Sequence, residues 1–66
     1  MKKYVEILDY INKVKNSCND ETSEMYLLGL CHSAQTIIIN DDELPYDTKR
    51  EYYDQIQQVI NTLLNL

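Results

Sequence analysis

The sequence predicts an all-α fold, a small antiparallel three-helix bundle with an oligomeric state. Three observations predict it. Apolar residues recur at helical spacing in three segments, cap-forming residues stand at the breaks between them, and the 66 residues include one Gly and one Pro. An all-β chain needs many more turn residues. An apolar fraction of 44% is that of a globular domain, not of a disordered chain. A single domain over residues 1–66 is expected, close to the lower size at which one core is stable alone.

The first helix is expected over about residues 3–17. Tyr4, Leu8, Ile11 and Val14 follow helical spacing, Ile7 widens the stripe, and Lys13 and Lys15 complement the dipole in the last turns. A break at Ser17-Cys18-Asn19-Asp20 follows, with Asn19 or Asp20 as cap and Glu21 and Glu24 in the next first turn. The second helix is expected over about residues 21–39. Leu27, Cys31, Ala34 and Ile38 form its seam, thickened by Leu28 and Met25, while Tyr26, Leu30 and Ile37 lie away from it. Gly29 costs a helix interior about 1 kcal/mol relative to Ala. Its retention suggests a close backbone approach at a small patch with Ser33 and Ala34. Asn40 is a C-cap candidate, and Pro45 disfavours helix at Leu44. Thr48 and Glu51 fit a capping box, so the third helix is expected over about residues 47–65. Tyr52, Ile56, Val59, Leu63 and Leu66 form its stripe, flanked by Tyr53, Ile60 and Leu64.

Ile37, Ile38 and Ile39 are consecutive. Neighbours on a helix are turned by about 100°, so all three cannot face one core. Burial on two sides, a terminal strand at Thr36–Ile39, or a partner surface would each resolve the conflict. A chain this short has little protein with which to cover them from within.

The net charge is −5, from six basic and eleven acidic residues. No Lys or Arg occurs from Asn16 to Thr48, whereas Asp20, Glu21, Glu24, Asp41, Asp42, Glu43 and Asp47 all do. Such a zone repels phosphate backbones and anionic lipid and attracts basic protein surfaces. No signal peptide is read at the start, because Glu6 and Asp9 interrupt any apolar stretch behind Lys2 and Lys3, and no run spans a bilayer. A cytoplasmic location is expected. Richness in Ile, Asn, Lys and Tyr suits an AT-rich coding sequence, as in a low-GC bacterium or its phage.

Catalysis lacks its components: one His, one Arg and no glycine-rich loop leave neither a triad nor a phosphate cradle. His32 beside Cys31 has no second ligand pair, and the acids at Asp41, Asp42 and Glu43 lack the central Gly of a calcium loop. No metal or cofactor is expected, and Cys18 and Cys31 read as reduced core thiols. Lys49 and Arg50 beside Tyr52 and Tyr53 mix cations with aromatics, but Asp47, Glu51 and Asp54 surround them. Pairing of Lys49 and Arg50 with those acids is expected in place of direct nucleic-acid binding. Six tyrosines with no Phe or Trp suit half-wet interfaces.

The sequence therefore points to a non-enzymatic, acidic protein–protein interaction module, a homodimer or higher oligomer. It would act as a phage-type inhibitor or accessory regulator on a target with a basic surface. Tyr26, Leu30, Ile37, Ile39, Tyr46 and Tyr53 would supply apolar contact, and Asp41, Asp42, Glu43 and Asp47 would steer the target. One alternative is an oligomeric sponge or sensor for a nucleotide-like ligand, held between subunits by Lys49, Arg50 and Tyr53. Another is an antitoxin or transcriptional accessory protein that dimerises through the third helix.

Overall fold

The computed structural model of the chain describes residues 4–64. Three helices pack together, α1 (Val5–Ser17), α2 (Glu21–Ile39) and α3 (Tyr46–Leu64), and the described residues contain no strand. Their Cα atoms fill a flat slab of 36 × 22 × 14 Å. Lys3, Asn65 and Leu66, which the sequence assigns to the outer helices, lie outside the described residues.

α1 begins without a side-chain cap. The Tyr4 carbonyl accepts the Leu8 N–H at 3.0 Å, and Glu6 and Lys15 lie at the dipole ends that favour their charges. Its stripe buries Tyr4, Leu8 and Ile11, with Ile7 and Val14 packed against the core. The helix stops at Cys18, whose backbone turns extended.

Asp20 caps α2, its carboxylate accepting the Ser23 N–H at 2.7 Å. That hydrogen bond holds the Asp20 carboxyl below its ordinary value of 3.8. A lowered folded-state value means stability that is present above the unfolded pKa and lost as pH falls through the folded one. Asp20→Asn keeps a cap oxygen without the charge. Its melting temperature should lie below that of the parent chain at pH 7, and the gap should narrow as pH falls below the ordinary carboxyl value of 3.8. A gap independent of pH would contradict this assignment of the cap.

α2 buries Leu27, Cys31, Ala34 and Ile38, the seam read from the sequence. Two expectations for it fail. Met25 does not thicken the seam but is 68% exposed. It stands about 160° around the helix from Leu27, too far to reach the same core. Gly29 marks no close approach: a Cβ built there meets nothing within 4 Å, and Ser33 is exposed while Ala34 is buried. With helical geometry and open space, Gly29→Ala should stabilise the protein by about 1 kcal/mol. Its thermal midpoint should rise by roughly 4–8 °C. A fall in the midpoint would mean that something contacts this position after all.

Asn40 ends α2, its Nδ2 donating to the Thr36 carbonyl at 2.9 Å. α3 starts at Tyr46, directly behind Pro45, whose carbonyl accepts the Lys49 N–H at 2.9 Å. Thr48 and Glu51 therefore lie inside the helix and do not start it. Proline's fixed φ already suits a helix entry, so the turn closes earlier than a capping box would place it. Ile56, Val59 and Ile60 are buried, and Tyr52 and Leu63 are half-buried against them. Leu44, from the connection, also packs on the core. α2 packs more extensively on α3 than on α1, and α1 touches α3 least.

Both cysteines are free. Cys31 is fully buried and Cys18 partly so, and burial raises the pKa of each thiol, with Glu24 and Asp20 adding to the rise at Cys18. No described helix is long and apolar enough to cross a membrane.

Candidate functional site

The three isoleucines divide. Ile38 is completely buried, whereas Ile37 and Ile39 are 54% and 53% exposed. Two residues apart, these outer two stand about 160° from each other around the helix. The surplus apolar surface is therefore two flanks of α2, not one face.

The first flank carries Tyr26, Leu30 and Ile37, spaced four and seven along the helix. Tyr26 is exposed, while Leu30 is half-buried against the core. The Tyr10 and Tyr26 hydroxyls lie 3.2 Å apart, and the hydrogen bond to Tyr10 raises the Tyr26 phenol's pKa. These two rings stand over an open hollow of about 510 Å3 between α1 and α2.

The second flank is the α2/α3 seam on the side that α1 leaves open. Met25, Leu28, His32, Gln35 and Ile39 follow three- and four-residue spacing on α2. Tyr46, Arg50, Tyr53, Gln57, Asn61 and Leu64 do the same on α3. At one end Ile39, Tyr46, Lys49, Arg50, Tyr53 and Asp54 line a shallow hollow of about 320 Å3. At the other, Met25, Leu28, Leu63 and Leu64 line a smaller one of about 150 Å3, together with Glu21 and Glu24. Between them lies the one buried polar side chain of the described residues. Gln35 Nε2 donates to Gln57 Oε1 at 3.0 Å and to the Tyr53 carbonyl at 3.3 Å, and Gln57 Nε2 donates to Asn61 Oδ1 at 3.0 Å.

The charges at the Ile39–Tyr46 hollow make contacts at the surface of the chain. Arg50 Nε stands 3.6 Å from the Asp54 carboxylate, its Nη1 lies 3.4 Å from the Tyr46 hydroxyl, and Tyr46 then Asp54 raise the guanidinium's pKa. Lys49 does not pair with an acid as the sequence suggests. Its Nζ donates to the Ile39 carbonyl at 3.2 Å, supplying at the end of α2 the positive charge that its own last turn lacks.

The acidic connection also divides. Asp41 is half-buried, and its Oδ2 accepts the Tyr4 hydroxyl at 2.6 Å while Oδ1 accepts the Glu43 N–H at 2.9 Å. It ties the start of α1 to the α2–α3 connection, next to an edge-on contact between the Tyr4 and Tyr52 rings. Asp42, Glu43 and Asp47 are exposed. His32 is exposed beside the buried Cys31, and no three His, Cys, Asp or Glu side chains of the described residues converge on a metal-sized site.

Of the residues assigned to a partner from sequence, the fold thus gathers Ile39, Tyr46 and Tyr53 in one place. Tyr26, Leu30 and Ile37 stand on the opposite flank, and Asp41 serves as an internal tether. Gln35 and the Met25–Leu64 end were missed. The spacing of Leu28 and Gln35, seven apart, was the available signal that a polar residue enters the α2/α3 seam. Comparison with protein-family models, with curated proteins and with solved structures returned no match. The functional reading rests on this surface alone.

Proposed function

We propose that this chain is a non-enzymatic interaction protein, an antiparallel three-helix bundle that associates with itself and occupies a basic surface on a target protein. The supporting observation is its surface. Tyr10, Met25, Tyr26, Ile37, Ile39, Tyr46 and Leu64 are all about half exposed or more, on a chain of 7.8 kDa. Apolar area of this extent, grouped on two flanks, marks interaction sites more often than idle surface. The antiparallel arrangement is supported by the seam, where residues near the start of α2 line a hollow with the end of α3 and Ile39 lines one with Tyr46.

The target side is the flank of Tyr26, Leu30 and Ile37, with the exposed acids Asp42 and Asp47 in the connection and first turn that follow α2. Apolar anchors beside carboxylates suit a basic protein surface, as an inhibitor or accessory regulator would require. Affinity capture from lysate of the organism that encodes the chain tests this reading. A Tyr26→Ala, Ile37→Asp variant, checked for retained helicity, should lose the proteins that the parent chain recovers. Equal recovery by both would overturn it.

One observation favours a second reading, an anionic small-molecule sponge. Lys49, Arg50 and Tyr53 do converge on one hollow. The chain's net charge of −5 opposes binding of a free anion, which is why the first reading is preferred. A rise in melting temperature with nucleotides would reverse the preference.

A further inference from the structure

The outer α2/α3 face has unlike ends. Ile39, Tyr46 and Tyr53 at one end are accompanied by Lys49 and the outward Arg50, against the single carboxylate Asp54. Met25, Leu28 and Leu64 at the other are accompanied by Glu21 and Glu24, and no cation among the described residues lines that hollow. No residue of α1 lines either hollow. Asp42, Glu43 and Asp47 lie in the connection and the first turn of α3, and also line neither. In the middle, Gln57 and Asn61 are half-exposed amides, each able to donate and accept.

We propose that this face is covered by a second copy of the chain, docked about a twofold axis with its helices antiparallel, so that the Arg50 end of each copy meets the Glu21–Glu24 end of the other. The proposal rests on the interaction-protein reading and names the occupant of one of its two flanks. Ends of opposite character make the face complementary to itself once reversed, and a twofold repeats each contact. In that arrangement Ile39 and Tyr46 of one copy oppose Met25 and Leu64 of the other. Apolar surface is then matched at both ends, and amide faces amide between them. Docking with the ends in register would instead bring the two Glu21–Glu24 ends together and the two Arg50 ends together, a like-charge proximity that selects against it.

The size fits as well. Two helices of 19 residues present a face about 28 Å long and roughly 20 Å wide. Its footprint of roughly 560 Å2 is close to the lower limit of about 600 Å2 per partner for a stable interface.

Sedimentation equilibrium over a range of concentrations, on the full chain, tests the proposal. The parent chain should show twice the 7.8 kDa mass. Arg50→Glu and Glu24→Arg should each weaken self-association about tenfold or more. The variant carrying both should recover it, because the reversed ends again match. Met25→Glu, at an exposed position, should give a monomer with unchanged helicity. A monomeric parent chain, single reversals without effect, or a double reversal no tighter than the singles would each overturn the antiparallel pairing. The target reading would stand or fall separately, on the capture experiment with the Tyr26 and Ile37 variant.

Discussion

Ile56→Asp should leave the chain unfolded at neutral pH. Ile56 is fully buried at the centre of the α3 stripe. Removing its side chain forfeits the transfer energy and opens a void, which costs about 2–5 kcal/mol at sites of this kind. Placing a carboxylate there adds the desolvation of a charge with no partner, several kcal/mol more. A domain of this length has roughly 3–10 kcal/mol to lose. Helices of 13 and 19 residues are marginal in isolation, so loss of packing removes the secondary structure too. The far-UV circular dichroism of the variant should therefore lack the helical minima and show no cooperative melt. A helical, cooperatively melting Ile56→Asp protein would mean that the α3 stripe does not face the core.

How much of this molecule could be read in advance depended on whether a feature was periodic or relational. The α3 stripe was legible because Ile56 and Val59 recur at helical spacing within their own helix. Asp20 and Asn40 were legible because a cap bonds to residues three or four away in sequence. Gln35 was not, because its burial is decided by Gln57 and Tyr53, about twenty residues further on. A polar letter on a stripe does not announce a partner on another helix. Lys49 was misassigned for the same reason: its partner is the carbonyl end of the preceding helix, while the sequence displays only neighbouring acids. The acidic row of the connection looked uniform, yet Asp41 differs from Asp42 because the Tyr4 hydroxyl reaches it from residue 4. Gly29 was overread. Glycine's helical cost invites a steric excuse, and the open space around it supplies none.

The candidate surface followed the same division. That three adjacent isoleucines could not share a core was plain from helical geometry, but which one wins the core depends on where the neighbouring helices lie. The structure gives the core to Ile38, and a graded substitution series measures that choice. Ile38→Ala should destabilise the chain by about 2–5 kcal/mol, the range for a large-to-small change at a fully packed position. In a domain of this size that lowers the melting temperature by at least 8 °C or so, if the variant folds at all. Ile37→Ala and Ile39→Ala remove the same atoms from half-exposed positions. Each should cost the monomer less than about 1 kcal/mol, because much of the side chain was never withdrawn from water. Melts at low protein concentration isolate this contrast from any contribution of association. Self-association then separates the two outer residues: Ile39→Ala should weaken it and Ile37→Ala should not, since only Ile39 lies on the outer α2/α3 face. Equal losses of stability at all three positions would mean that α2 is covered on both flanks within a single chain, leaving no apolar surface for a partner to recognise.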